Sequence, residues 1–559
     1  MKNVFLLLLC LSISSAQILS NRLAFSPRGA RPAIPAVYQD LYTQLSNDLT
    51  DFNNAINYNG AQYPVLYTGE LTDASANAGP QLLTALPYIQ QQMLTLKALG
   101  YKAVAIEAGF PILYEPFYSA TSAKKDGSCP GDSGVAASVQ QQQWASLYSD
   151  IADAARALDL RVIVSAEVMD NGSQLSGSAS WASCLTTWYP TLGWNQFQSA
   201  RAQAAAALAQ AMKPDYFVLA QEPDTESATT GYTEIDTPAG AVSMLNEIMA
   251  SVVPLKPQIP NMLVGAGFGN WQAIYYTDYQ SFANAYTSQA CSSSQPCVQP
   301  KLDFFDMHLF LINESAPAVG PNPPYATNFQ KNALAMISAA KAAGMPMTIS
   351  QAWLRKVRDS EWRNESSPAG NSTVQEARET YSFWAPLDSQ WLTTLERLAS
   401  QAQMAFVVPF DTDEMSAYQT WSTSTSIEED GGSLPATQVF GNEGPVASSA
   451  ALNCVYSTTG LSLYRSIAPP DTVPPSSPAQ LAFSLTSKSG VRLTWTSSSD
   501  NVGVAGYHVW RDAIRLPDTF STTATDSGIL QNVSYLYQVE AFDLAGNVSQ
   551  PATVIVFLK

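Results

Sequence analysis

Seven polar residues each follow a short apolar run: Glu70, Glu107, Glu167, Glu222, His308, Gln351 and Asp411. The first four are carboxylates, one after each of four consecutive runs. Asp and Glu are rarely buried without a partner or a purpose. Crowding and desolvation of such groups raise at least one pKa, which is what a general acid requires. The chemistry expected of the set is therefore proton transfer and charge stabilisation by carboxylates. The chain holds 2 His and 6 Cys. No Cys pair stands at metal-site spacing with a His, so neither a metal nor a cofactor is expected.

The runs that must position these residues are Val65–Tyr67, Ala103–Ile106, Val162–Val164, Phe217–Leu219, Leu263–Gly265, Phe304–Met307, Met347–Ile349 and Ala405–Val408. They are nearly continuous in apolar residues, as strands covered on both faces must be. Helical patterns lie between them. One is Leu82, Leu86, Ile89, Met93 and Leu96, ended by Gly100; another is Trp144, Leu147, Ile151, Ala154 and Leu158. Both step by three and four. Eight such alternations predict an α/β chain with a closed (β/α)8 TIM barrel over 63–466, rather than an open sheet. No dinucleotide glycine fingerprint follows the first run. Residues 17–62 are expected to form a helical extension, with a helix over Val37–Ile56 lying on the barrel. In such barrels, catalytic residues stand where strands end.

Lys2, the apolar run Val4–Ile13 and the small residues Ser14-Ser15-Ala16 read as a signal peptide over 1–16. The expected location is secreted or periplasmic. The run is too short to span a bilayer, and no later segment is expected to be apolar enough to do so. Export permits disulfides. Cys291 and Cys297 flank a short stretch and could bridge it; Cys129 and Cys184 lie in two long loops and could pair, leaving Cys454 over. The formal net charge is -18 without a basic patch, which argues against nucleic-acid binding. Hydrophobic residues at 46% exclude disorder as the overall class. Pro469-Pro470 and Pro474-Pro475 mark a stiff linker over 467–475. Beyond it, Val491–Trp495, Gly506–Trp510 and Tyr535–Ala541 alternate as strands do, with polar turns between them.

The last segment, 476–559, resembles a fibronectin type III domain, a small all-β immunoglobulin-like sandwich. Trp495 matches that family's core tryptophan, and Tyr535 or Tyr537 its late-strand tyrosine. Asp500–Tyr507 and Asp543–Asn547 are similar to copies attached to secreted bacterial carbohydrate-active enzymes. Leu219-Ala220-Gln221-Glu222-Pro223 resembles the end of strand four in the clan of retaining glycoside hydrolases on (β/α)8 barrels. The resemblance implies that Glu222 is the acid/base. Gln221 stands where the family usually has an Asn that contacts the hydroxyl at sugar carbon two. Asp306–Phe310 resembles the strand that brings an active-site His or aromatic residue, here His308, to the sugar.

The seventh run departs from that pattern. Met347–Trp353 aligns Ser350 and Trp353 with the family's Ser-Glu-x-Trp and puts Gln351 at the nucleophile position. A neutral amide cannot form the glycosyl ester of double displacement. Three accounts stay open. Another carboxylate substitutes: Glu167 first, with Glu107, Glu70, Asp411, Asp413 and Glu414 as further candidates. Alternatively, an acetamido group of the substrate attacks, oriented by Gln351. In the third account, the barrel binds sugar without cleaving it. Glu70, Glu107, Gln221, His308, Trp353 and Asp411 are expected to contact the carbohydrate. Trp181, Trp188, Trp194, Trp271, Trp362, Trp384 and Trp421 either stack on sugars or pack their loops. Arg355, Lys356 and Arg358 either face an acidic cleft or sit in salt bridges. The leading expectation is a glycosidase acting on O-glycosidic bonds of a poly- or oligosaccharide. The alternative is a non-catalytic glycan-binding barrel.

Overall fold

Eight parallel strands close into a barrel in chain order: β1 (Leu66–Glu70), β2 (Ala103–Phe110), β3 (Arg161–Val168), β4 (Tyr216–Val218), β5 (Leu263–Gly269), β6 (Phe304–Leu311), β7 (Met347–Leu354) and β8 (Phe406–Pro409). β1 pairs with β2 on one side and with β8 on the other, which closes the ring. The computed structural model describes residues 33–71, 74–75, 82–98, 100–121, 129–169, 181–270, 279–288, 291–292, 296–311, 329–358, 361, 372–410, 418–443, 471–487, 489–501, 504–512, 514–516, 518–519, 521–543 and 545–557. Residues 1–16, expected to be a signal peptide, residues 467–470 of the expected linker, and Asp411, Asp413, Glu414, Cys454, Trp271 and Trp362 lie outside the described residues.

The described α-helices are α1 (Gln39–Ile56), α2 (Leu86–Ala98), α3 (Glu115–Thr121), α4 (Ala137–Ala157), α5 (Ala182–Trp188), α6 (Trp194–Met212), α7 (Pro223–Thr230), α8 (Pro238–Val252), α9 (Tyr279–Thr287), α10 (Phe329–Ala342), α11 (Ser372–Glu379) and α12 (Ala385–Ala402). α1 lies where the helical extension was expected. Its buried stripe of Leu41, Leu45, Leu49, Phe52 and Ile56 faces α12, and Asn57 ends it in the left-handed region at φ 50°. One expectation is corrected. α8 with its 3₁₀ continuation, Pro238–Gln258, has the length and composition of a membrane span. Its apolar residues Ala241, Leu245, Ile248 and Val252 are instead buried, and the helix packs on α6. A core helix wetted on one edge meets the same compositional test.

The lower end of the barrel lumen is apolar. Ala103, Ala105, Ile163, Val218, Phe304, Phe406 and Val408 form one cluster there, with Leu66 and Tyr216 against it. Gly265 on β5 makes room for this layer: a Cβ there would come within 2.1 Å of the Phe304 ring. Two disulfides tie surface segments. Cys129–Cys184 links the segment before α4 to α5 across 55 residues, and Cys291–Cys297 spans 6.

The chain divides into two compact units, one of Pro32–Lys97 with Tyr101–Gly460, the other including Leu461–Lys559. The second unit is a sandwich. Strands β9 (Ala479–Ser487), β10 (Gly490–Thr496) and β13 (Thr523–Asp526) form one sheet in the order β13-β10-β9. Strands β11 (Val504–Arg511), β12 (Ile514–Arg515), β14 (Ser534–Asp543) and β15 (Ala552–Phe557) form the other, in the order β12-β11-β14-β15. This is a fibronectin type III-like sandwich. Trp495 packs edge-on to Tyr507 at 5.3 Å between ring centroids. The two late-strand tyrosines divide the work: Tyr537 is fully buried in the core, while the Tyr535 hydroxyl accepts from the backbone of Leu530 at 3.1 Å. His508 stacks on Phe542 and its Nδ1 meets Asp518 at 3.0 Å, a structural role.

Candidate active site

Above the apolar layer the inward positions turn polar. Thr68, Ser165, Asp306 and Thr348 are buried two residues or one register further along their strands. Thr348 donates to Asp306 at 2.5 Å, and the Ser350 hydroxyl donates to the other carboxylate oxygen. Gln221, just past β4, spends its amide on Ser165 at 2.7 Å and Ser350 at 2.6 Å. It thus ties β3 and β7 together across the lumen and is 1% exposed.

The next layer holds four of the residues singled out in the sequence. A break in the β6–β7 register, with Met307 opposite Ile349 but His308 opposite Gln351, places a bulge at Ser350. A bulge re-aims the residues that follow it. Gln351 therefore joins Ser350 on the lumen side, and its amide donates to Glu107 on β2 at 3.4 Å. Glu222 occupies the N-cap of α7. The His308 Nδ1 lies 2.7 Å from Glu222 Oε1, with the two side chains 1% and 20% exposed. Glu107, Glu222, His308 and Gln351 are thus brought together from β2, β4, β6 and β7.

Their electrostatics are unequal. Burial pushes the Glu107 carboxyl up to about 7, with Glu222 adding to the rise and His308 opposing it. Burial also disfavours the Glu222 anion. Hydrogen bonds from His308 and Thr225 and the charges of His308 and Arg355 outweigh it, and Glu222 is held below the usual carboxylate range. His308 is raised in turn, because Glu222, Asp306 and Glu107 outweigh its burial. Asp306 is itself raised by burial, against the pull of His308, Ser350 and Thr348.

Glu167 is raised well above its ordinary range by burial and by Glu107, Glu222 and Glu226, with Arg201 opposing. It lines a small cavity with Phe110, Tyr148, Arg201 and Leu208. Glu70, 4% exposed, ends β1. Trp353 is 8% exposed, packed on Phe310 at 5.3 Å and Phe410 at 4.7 Å, with the Arg355 guanidinium 4.5 Å over its ring. Its indole N–H donates to Glu379 at 2.8 Å.

Several contributors were not singled out in the sequence. Asp306 lies two residues before His308 and so shares its face of β6, a spacing that could have revealed it. The buried Arg201–Glu226 pair, at 2.7 Å, links α6 to α7 beside Glu222, and burial pushes Glu226 up to about 7 despite Arg201. Lys356 and Arg358 take the salt-bridged alternative. Lys356 meets Glu379 and Asp388, and Arg358 meets Asp40 and Glu361. Trp181 packs on Trp144, Trp188 on Phe117 and Trp384 on Phe383. Among the described residues, one set of three carboxylates has oxygens within 4.8 Å of one another: Asp471, Asp500 and Asp543, in the sandwich. Asn501 and Asn547 amides donate to Asp471 and Asp543, which satisfies part of that set with neutral donors.

No family model matches the chain. Over 84 residues it is 45% identical to chitinase Chi52 of Paenibacillus xylanexedens, covering 15% of this chain and 16% of that protein. Over 170 residues it is 31% identical to exoglucanase B of Cellulomonas fimi, covering 28% of this chain and 15% of that protein. The chain thus spans less than a fifth of the length of these two curated relatives. Among solved structures, chitinase ChiA74 from Bacillus thuringiensis covers 73% of this chain and 67% of its own at 13% identity, with a TM-score of 0.24. At that score the barrel assignment rests on the strand topology above.

Proposed function

We propose that the barrel is a glycosidase that hydrolyses O-glycosidic bonds of a poly- or oligosaccharide, with Glu222 and Glu107 as its carboxylate pair. The observation that carries this reading is the convergence of Glu107, Glu222, His308 and Gln351 at the mouth of the lumen, two of them carboxylates with opposed pKa shifts. Glycoside hydrolysis needs one carboxyl that holds its proton and one that does not. Glu107 fits the partner role better than Glu167, because it meets Gln351 directly and lies in the field of both His308 and Glu222. The relatives named as chitinase and exoglucanase act on glycans, which supports a carbohydrate ligand. The N-terminal apolar run and the two disulfides support an exported protein.

A second reading is a barrel that binds glycan without cleaving it. Gln351 at the nucleophile position favours it. The two readings separate in one experiment. The chain from Gln17 onward, and its Glu222→Gln variant, would be incubated with glycol chitin, carboxymethylcellulose, xylan and arabinogalactan. Reducing ends from the parent and none from the variant support the glycosidase. If both retain a glycan in affinity electrophoresis and neither releases ends, the binding reading stands.

A further inference from the structure

We infer that Glu107, on β2, gives its proton to the leaving oxygen, and that Glu222 is the carboxylate base beside it. This rests on the glycosidase reading above and exchanges the role that the strand-four resemblance implies for Glu222.

The surroundings of the two side chains carry the assignment. Glu222 has partners that favour an anion. The His308 Nδ1 lies 2.7 Å from it, and that imidazole is buried in the field of Asp306, whose own carboxylate accepts from Thr348 and Ser350. Glu222 also stands at the N-cap position of α7, where the helix dipole favours negative charge, although its side chain makes no capping hydrogen bond. Thr225 and Arg355 add to this. Glu107 is placed differently. Its hydrogen bond comes from the neutral amide of Gln351, and two carboxylates, Glu222 and Glu167, lie in its field against the one imidazole of His308. A carboxyl with a neutral donor and anionic neighbours keeps its proton. The pKa near 7 of Glu107 and the lowered one of Glu222 agree with that geometry.

Gln351 acquires a positive role. As an amide it bonds Glu107 without adding charge, and it offers no nucleophile, so water must attack. In the step, the bond from the anomeric carbon to the glycosidic oxygen breaks. The leaving oxygen keeps the electron pair and takes the proton of Glu107. The oxygen of a water molecule bonds to the anomeric carbon while its proton passes to Glu222. The two carboxyls end with their protonation exchanged, and solvent resets them.

The test uses leaving-group dependence in the full chain from Gln17. 2,4-Dinitrophenyl cellobioside would be compared with cellohexaose, and the matching chitobioside with chitohexaose. A dinitrophenolate departs without a proton. Glu107→Gln should therefore lose about 10²-fold or more of kcat on the hexaose but less than about 10-fold on the dinitrophenyl substrate. Glu222→Gln should lose about 10²-fold or more on both. The ratio between two substrates does not depend on how much of a variant is folded. The reverse pattern, with Glu222→Gln spared on the activated substrate, would overturn the assignment while leaving the glycosidase reading intact. A parent chain inactive on all four would remove that reading and the assignment with it.

Discussion

At the lower end of the barrel, Ala105, Ile163 and Phe304 face one another in an apolar layer. Two residues further along the same strands stand Glu107, Ser165 and Asp306. The change of chemistry takes one inward step. Strand alternation keeps both sets in the lumen, so the backbone is the same device at both ends. The lower layer gains stability from burial. The upper one spends part of that stability on buried carboxyls, to which Gln351, Ser350, Thr348 and His308 give hydrogen-bond partners. Stability and chemistry are separated along the strand axis.

Mutations can break or sharpen that contrast. The largest expected effect is at the mouth: Glu222→Gln should lower kcat on an unactivated oligosaccharide by about 10³-fold, with a melting temperature close to the parent's. Initial rates and a thermal melt check it together. The converse is Phe406→Ala in the lower layer. It should cost roughly 3–5 kcal/mol in urea unfolding, while kcat and KM of the folded fraction stay near the parent values.

A smaller effect concerns pH and stability. Glu107 and Glu226 both have pKa values raised to about 7 from 4.5. Between those values the native chain binds more protons than the unfolded one. Stability is therefore fully present below pH 4.5 and declines as pH rises through about 7. The melting temperature should fall from pH 5 to pH 8. Glu107→Gln should flatten that fall, and Phe406→Ala should leave its slope unchanged. The smallest effect is Gln351→Glu. A carboxylate in place of the amide that lies 3.4 Å from Glu107 should move the alkaline limb of the rate profile upward by about one pH unit, without a gain in maximal rate. A clear gain would revive strand seven as the site of a lost nucleophile.

Much of this layout was legible in the sequence. The eight apolar runs marked all eight strands because parallel strands covered on both faces are apolar throughout. Glu222 and His308 were legible because each follows or ends a run. Other features depend on contacts between distant segments. Gln351 reaches the lumen through a bulge at Ser350 that no residue type announces. The sequence leaves Lys356 between an acidic cleft and a salt bridge, because its partners Glu379 and Asp388 arrive from the distant α11 and α12. α8 has the composition of a span although α6 covers one of its faces, and neither property was singled out in the sequence. The preference for Glu107 over Glu167 depends on which carboxylate meets β7, and strand order alone does not give that.

The most direct test of the central claim is the pH dependence of kcat/KM, which reports the ionisations of the free protein. The account predicts an alkaline limb near pH 7 in the parent, set by the Glu107 carboxyl. With cellohexaose or chitohexaose as substrate, whose leaving group needs a proton, that limb should disappear in the residual activity of Glu107→Gln. Persistence of the limb in Glu107→Gln, together with its loss in Glu222→Gln, would contradict the account.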